Sequence, residues 1–196
     1  MTTLGEPLEP ADRMHPPLPS PEDMIGFWRA AGPRKWFRKD ADFDREITAR
    51  FLAAHEAAAA GRLSDWQAAP DGALALLLLL DQFPRNMFRN SARAFANDAL
   101  ARAVAGRAIA DGFDASAADA ERAFFYLPFE HSENLADQER SLALWRRSGD
   151  GKVDKYAEIH ADIIRRFGRF PHRNAVLGRA TTPAEQAFLD AGGFAG

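Results

Sequence analysis

The chain has no cysteine, which excludes disulfide bonds, thiolate zinc sites and cysteine nucleophiles. Its longest apolar run, residues 73–80, is far shorter than the roughly 20 apolar residues that cross a bilayer. The N-terminal residues lack the basic start and apolar stretch of a secretory signal and are rich in proline instead. We therefore expect a soluble, cytoplasmic protein without a membrane partner, in which the apolar run forms a buried helix.

A strong charge of one sign is missing too, since the net charge is -3 and the pI is near 6.0. Residues 32–40 interleave cations with Trp36 and Phe37, a mixture found in single-stranded nucleic-acid grooves. We expect instead that these aromatics cover the core edge while the cations meet helix ends or surplus acids. No nucleic-acid partner is expected. Glycine-rich phosphate loops and a Gly-x-Ser-x-Gly elbow are also absent, which excludes dinucleotide, P-loop and α/β-hydrolase sites.

Period-two alternation is not evident, whereas helical spacing and helix punctuation recur along the chain. Hydrophobic residues make up 46% of the 196 residues, which suits a single core. We predict an all-α fold of roughly eight helices in antiparallel hairpins. It forms one domain over residues 20–196, after a disordered lead at residues 1–19. The predicted helices are one capped by Ser20 and stopped at Gly32-Pro33, then 42–60, the leucine run up to Pro84, 98–110, 117–127, a helix from near Ser132 to Gly149, 153–167 and one capped by Thr182.

A group of Phe, Pro, Arg and Asn occurs twice, as FPRN at residues 83–86 and as FPHRN at residues 170–174. One interpretation is a pair of equivalent helix ends, because each proline disfavours helical geometry in the Phe before it. The other is that Arg85 and Arg173 converge on one anion, since guanidinium groups suit carboxylates and phosphates. The further ligand-binding candidates are Asn86, His172 and Asn174.

The densest ionisable group lies in FYLPFEHSENLADQERS, residues 125–141. We expect Pro128 to end one helix and Ser132 to cap the next. His131, at this corner, suits a general base or a ligand oriented by a carboxylate. His160 lies on the apolar face of its predicted helix and becomes catalytic if Asp81 or Asp137 reaches it. The catalytic candidates are His131, His160, Glu130 and Asp81.

Three stretches resemble the signature sequences of a bacterial domain-of-unknown-function family, number nine-two-four. They read LLLLLDQFPRNMFR, YLPFEHSENLADQERS and RFGRFPHRNAVLGR, and the resemblance extends over residues 21–188. It implies an all-helical fold related to tetratricopeptide-like helical hairpins. It implies no activity, so function has to be inferred from the residues themselves.

Two hypotheses of function remain open. The first is a binding module in which Arg85, Arg173 and Asn174 hold an anionic small molecule or a peptide carboxylate. The second is an enzyme, hydrolase-like or metal-assisted, that uses His131 or His160 with carboxylates. The histidines and acids have suitable atoms for zinc, manganese or iron, but no fixed spacing links them, so we predict no metal site. The sequence specifies neither a cofactor nor an oligomeric state.

Overall fold

The computed structural model describes residues 17–148 and 153–194, and within these ranges the chain is helical and has no β-strand. The all-α prediction is therefore confirmed, and eight of the described α-helices have eight or more residues. Most of the predicted lead and the predicted stop at Gly149 lie outside the described residues. The α-helices are α1 Pro21–Ala31, α2 Pro33–Trp36, α3 Ala41–Ala59, α4 Pro70–Leu77, α5 Phe83–Met87, α6 Asp98–Ala110, α7 Phe113–Ser116, α8 Asp119–Glu130, α9 Leu135–Arg147, α10 Lys155–Phe167 and α11 Pro183–Asp190.

The first and the last of these helices begin at the predicted capping residues. Ser20 caps α1 and Thr182 caps α11, each in a capping box in which the third helical residue returns the hydrogen bond. Helix α1 ends at Gly32, whose φ of 74° suits glycine. Helix α6 has the predicted bounds, because Asp111 and Gly112 end it as expected.

The leucine run does not end at Pro84 as predicted. Helix α4 continues into a π-helical turn, Leu78–Gln82, and then into α5, which contains Pro84. The Phe83 N–H reaches back to the carbonyl of Leu78, so the wider turn accommodates the proline within a continuous helical path. Phe83 is accordingly helical, with φ -60° and ψ -36°, and the prediction that it would be extended is wrong.

The helix that was predicted to end at Pro128 also extends beyond its proline. Helix α8 contains Pro128 and continues to Glu130, and His131 is its C-cap residue. Asn134, rather than Ser132, caps α9 by accepting from the Ala136 N–H. Ser132 is buried and donates to Asp137, which also pairs with Arg102, so Asp137 does not reach His160.

The second Phe-Pro group leaves its helix in the predicted way. Helix α10 ends at Gly168 in a left-handed conformation, and Phe170 is extended, with φ -88° and ψ 109°. Its N–H donates to Glu133 and its ring is fully buried. The following residues, Pro171–Arg173, form one 3-10 turn. The two Phe-Pro groups are therefore not equivalent helix ends, because the first lies inside a helical segment.

Aromatic and leucine side chains from most helices form the main core. Trp28 stacks on Trp36 with ring centroids 5.5 Å apart, so Trp36 covers the core as expected, whereas Phe37 is 64% exposed. Helices α8, α9 and α10 pack in succession, which fits a series of helical hairpins. A smaller cluster around Ile163, Ile164 and Phe170 lies next to it. Across the two described ranges, no helix is long and apolar enough to span a membrane.

Candidate functional site

Arg85 and Arg173 lie over one carboxylate, that of Asp98 in the first turn of α6. Arg85 Nη2 donates to Asp98 Oδ1 over 3.1 Å, and Arg173 Nη1 donates to Oδ2 over 3.4 Å. Arg85 Nη1 also donates to the main-chain carbonyl of Asp81 over 2.6 Å. Of the two interpretations of the repeated group, convergence of the arginines on one anion describes part of this geometry. The arginines converge on an anion that belongs to the protein, and one of them also meets a helix carbonyl.

The imidazole of His131 is held by the buried carboxylate of Asp81. Its Nδ1 lies 2.9 Å from Asp81 Oδ1 and 3.0 Å from Oδ2. Burial opposes ionisation of Asp81, but Arg85 and His131 outweigh it and hold the pKa of this carboxyl far below its usual range. Burial and the Arg85 charge lower the pKa of His131. At neutral pH the pair is an ionised carboxylate and a neutral imidazole that carries its hydrogen on Nδ1.

His160, on α10, is a second buried imidazole. Its Nδ1 lies 2.7 Å from the main-chain oxygen of Tyr156 and 3.3 Å from Oε1 of Glu130. Burial, with the nearby His131, lowers the pKa of His160 to about 3. Burial also raises the pKa of Glu130 to about 8, with Asp154 adding to the effect. Glu130 therefore keeps its proton at neutral pH, unlike Asp81.

Arg173 is a buried cation with few partners. It is 5% exposed, and its guanidinium carbon lies 4.5 Å from the ring centroids of both Phe95 and Phe170. Within the described residues, the only hydrogen bond of the Arg173 side chain is the 3.4 Å contact with Asp98, and its Nε is buried without a partner. Burial, with the charge of Arg85, lowers the pKa of Arg173 to about 10, so it remains a cation at neutral pH. Of its five N–H donors, one bonds to Asp98, and the others have no hydrogen-bond partner among the described residues.

His172 precedes Arg173 in the same 3-10 turn. Its Nδ1 is buried and has no hydrogen-bond partner among the described residues. Burial, with the charge of Arg173, lowers the pKa of His172 to about 4, so the ring is neutral at physiological pH. His172 adds a third neutral imidazole beside His131 and His160.

These side chains line one cavity of about 250 Å³. Among the predicted site residues, it brings together Arg85, His131, His160, His172 and Arg173. The residues of the lining that sequence analysis did not select are Lys39, Arg89, Asn90, Ala94, Phe95, Val176 and Phe194.

Two of these additional residues, Lys39 and Arg89, carry charge, and the position of each in the sequence gave a partial indication that it could belong to the site. Lys39 belongs to the basic segment at residues 32–40, which we expected to contact helix ends. Arg89 follows Arg85 at helical spacing, one turn further along the chain. Phe194 lies near the end of the described chain and packs its ring 4.5 Å from that of His160. Nothing in the local sequence of Phe194 indicates this contact.

The other predicted site residues lie behind the lining. Asp81 contacts the lining residues His131 and Arg85, and Glu130 contacts the lining residue His160, but neither acid is itself part of the lining. Asn86 donates to Asp44 over 2.7 Å. Asn174 is fully buried and donates to Glu185 over 3.3 Å while it accepts from Arg179. Both asparagines therefore support the surrounding helices and do not face the cavity.

The lining carries positive charge. Its four permanent cations are Lys39, Arg85, Arg89 and Arg173, and no carboxylate is among its residues. Arg89 pairs with Asp44 behind it, and Lys39 has no ion-pair partner among the described residues. With three neutral imidazoles, the space favours an anion. In residues 17–148 and 153–194, no group of three or more His, Asp or Glu side chains is placed to hold a metal ion.

A larger groove of about 480 Å³ lies between α10 and α11. Its charged residues, Lys155, Glu158 and Asp162, have opposite signs, and Ile159 and Phe188 form its apolar part. Apart from Phe194, it shares no residue with the cationic cavity. Size alone does not identify a site, so we assign the candidate site to the smaller cavity, where the buried ionisable groups converge.

Comparison with known proteins agrees with the motif resemblance. A family model described as a bacterial protein of unknown function, DUF924, matches residues 24–193. The solved structure of a protein of unknown function from Agrobacterium tumefaciens has 48% sequence identity and a TM-score of 0.83, covering 87% of this chain and 97% of that chain. No curated protein matches the chain. These relatives show the family and the fold and supply no activity.

Proposed function

Because the chain belongs to DUF924, a family of bacterial proteins of unknown function, we propose a function from the cavity itself. The cavity binds one small anion, either a small-molecule carboxylate or phosphate or the terminal carboxylate of a peptide. The observation that carries this proposal is the buried Arg173 guanidinium, with its single long hydrogen bond and its unpartnered Nε.

Burying a charged group with unused donors is costly, because it loses water without gaining equivalent partners. The aromatic rings of Phe95 and Phe170, with centroids 4.5 Å from the guanidinium carbon, hold the guanidinium of Arg173 in place. The group is therefore oriented before any ligand arrives. An anion that accepts two parallel N–H bonds supplies the missing partners in one step.

The size of the cavity limits the ligand. Its volume of about 250 Å³ lies below the roughly 300–1,000 Å³ that is typical of pockets for drug-sized molecules. A compact metabolite or a chain terminus fits this space, and a folded partner does not enter it. Arg85 and Arg89 add charge to the same wall, although each already pairs with a carboxylate.

The proposal is tested by calorimetric titration of the full chain with phosphate, acetate and citrate. The variant is Arg173→Lys, which keeps the charge but loses the planar fork. We expect at least about tenfold weaker binding of any anion that binds the wild type, since two oriented donors are lost. The matched control is Arg166→Lys, because Arg166 is an exposed residue on α10 that pairs with Asp162.

Equal affinity in Arg173→Lys and the wild type would contradict the proposal. Circular dichroism of both variants establishes that a loss of binding is not a loss of folding. If none of the three anions binds the wild type at millimolar concentration, Arg173 has a structural role beside Asp98 and the binding function is rejected.

One observation favours the second candidate, an enzyme. The ionised Asp81 fixes His131 with its hydrogen on Nδ1, which leaves Nε2 as a proton acceptor beside the cations of the cavity. In a hydrolase, Nε2 takes a proton from water while the water oxygen attacks the bound ester, and the arginines stabilise the developing negative charge. The bond to the alcohol oxygen then breaks, and the alcohol leaves with the proton that His131 returns. Metal-assisted chemistry has no such supporting observation.

Hydrolysis of p-nitrophenyl phosphate and p-nitrophenyl acetate tests the enzyme hypothesis. We expect His131→Asn to abolish any turnover that the wild type shows, and His55→Asn, which changes a histidine outside the cavity lining, to retain it. Turnover that persists in His131→Asn would reject the assignment of His131 as the base.

A further inference from the structure

Groups outside the cavity lining determine which ring nitrogen of His131 and which ring nitrogen of His160 carries the hydrogen. Asp81 is ionised and can only accept, so the Nδ1 of His131 that faces it must carry the hydrogen. The main-chain oxygen of Tyr156 is also an acceptor, so the Nδ1 of His160 carries its hydrogen for the same reason. When the rings are neutral, each Nε2 is a lone-pair acceptor.

Both acceptors belong to the lining of the same cavity. The ring centroids of His131 and His160 are 6.1 Å apart, and neither Nε2 has a hydrogen-bond donor among the described residues. Arg85 and Arg173, in contrast, present only donors. The cavity therefore has a donor wall formed by the arginines and an acceptor pair formed by His131 Nε2 and His160 Nε2.

We infer that the occupant is a hydroxylated anion, a hydroxycarboxylate or a polyol phosphate, whose hydroxyl groups donate to His131 Nε2 and His160 Nε2 while its anionic group binds Arg173. This inference rests on the proposed anion-binding function and specifies the ligand class. A simple anion such as acetate satisfies the arginines and leaves both imidazole nitrogens without a donor. An anion that also carries O–H groups satisfies both the donor wall and the acceptor pair.

Ammonium groups are the other common donors, and the cavity disfavours them. Four permanent cations and no carboxylate are among the lining residues, and the carboxylates of Asp44, Asp81 and Asp98 pair with three of the four cations, so a ligand ammonium group would still meet a net positive charge. The centroid of the Phe194 ring lies 4.5 Å from that of His160 and 5.4 Å from that of His172. Neutral hydroxyl donors therefore suit the acceptor pair better than charged ones.

The test compares ligands that differ by hydroxyl groups. The full chain is titrated at pH 7.5 with glycerol 3-phosphate against propyl phosphate, and with glycerate against propionate. We expect the hydroxylated member of at least one pair to bind about tenfold more tightly, because a buried acceptor without its donor is unfavourable. The two arms also distinguish a phosphate from a carboxylate as the anionic group.

Variants assign the preference to the histidines. His131→Phe and His160→Phe remove one acceptor each, and we expect either to reduce the preference for the hydroxylated member of the pair to about twofold or less. The matched control is His55→Phe, since His55 is buried like His160 but does not line the cavity, and its Nδ1 faces the main-chain oxygen of Leu79. We expect it to keep the full preference.

Failure of the inference and failure of the proposed function give different results. Equal affinity within each pair, with Arg173→Lys still weakening both members, rejects the hydroxylated ligand and leaves anion binding intact. Absence of binding for all four ligands rejects both. Long-range ¹H–¹⁵N spectra of the histidines give a ligand-independent check, since a hydrogen on Nε2 of His131 or His160 in the free protein would overturn the inference.

Discussion

Asp81 accepts through both carboxylate oxygens from the Nδ1 of His131, a residue 50 positions later in the chain. Arg85 is also within 3.1 Å of Asp81, so one buried acid satisfies an imidazole and a guanidinium. Asp81 thereby connects the π-helical turn after α4 with the end of α8. Its substitution should affect both stability and the site.

We expect Asp81→Asn to lower the free energy of unfolding by about 3–5 kcal/mol, since removing one partner of a buried charge pair leaves the other uncompensated. Urea unfolding followed by circular dichroism measures the change. Asp42→Asn is the matched control, because Asp42 is an exposed acid that pairs with Arg45 on the surface of α3. An equal loss in both variants would show that burial of Asp81 is not the cause.

Glu130 should make the protein less stable at alkaline pH. Its pKa is raised from 4.5 to about 8 in the folded state, so between these values the folded protein holds a proton that the unfolded chain has lost. Stability therefore falls as pH rises through this window, with a slope of up to about 1.4 kcal/mol per pH unit from this group. We expect Glu130→Gln to flatten the decline between pH 5 and 8, as measured by urea unfolding at each pH. A decline as steep as that of the wild type would contradict the assignment.

His160 should contribute loss of stability in acid. Its pKa falls from 6.5 to about 3 on folding, so the unfolded chain binds a proton that the folded protein excludes. Stability from this group is therefore lost progressively as pH falls from about 6.5 to about 3. We expect His160→Phe to reduce the slope in this window. Asp81, whose pKa is depressed from 3.8, adds its loss of stability mainly below pH 3.8, so its effect overlaps with that of His160 only at the acid end of the His160 window.

Gly72 should not tolerate a methyl group. A Cβ at this position of α4 would lie 2.9 Å from the main-chain carbonyl carbon of Trp66 and closer still to its oxygen. We expect Gly72→Ala to lower the free energy of unfolding by about 1–3 kcal/mol through overpacking. Gly26, in α1, has open space where a methyl group would lie, with no atom within 4 Å, so Gly26→Ala should instead stabilise by about 0.5–1 kcal/mol. Thermal unfolding of both variants gives opposite signs if the close approach of Trp66 is correct.

The sequence was sufficient for elements that depend on local chemistry. Capping at Ser20 and Thr182 and the bounds of α6 need only neighbouring residues, and these predictions are confirmed. The stops predicted at Pro84 and Pro128 are wrong, because the cost of a proline depends on the hydrogen-bond pattern before it. At Pro84 that pattern is a π turn, which core packing selects and local sequence does not reveal.

For the candidate site, too, the sequence indicated some features and could not indicate those that depend on long-range contacts. The repeated Phe-Pro group suggested a pairing of Arg85 with Arg173, and the structure places both on Asp98. The sequence could not show that Asp98 supplies the anion that both arginines contact, because these contacts join separate segments of the chain. Lys39 and Phe194 reach the cavity through the same long-range packing, which no local pattern encodes. Their functional roles, like those of the histidines, stay predictions.

The π turn at Leu78–Gln82 has a geometric consequence for the cavity. Each residue of a regular α-helix advances the side-chain direction by about 100°, so one wide turn changes the angular phase of everything after it. Phe83 then points to the core, while Arg85 reaches Asp98. Leucines in the run are interchangeable with other apolar residues of similar volume, but their number is not free. The run acts as a spacer whose length, as much as its hydrophobicity, aims Arg85 at its carboxylate.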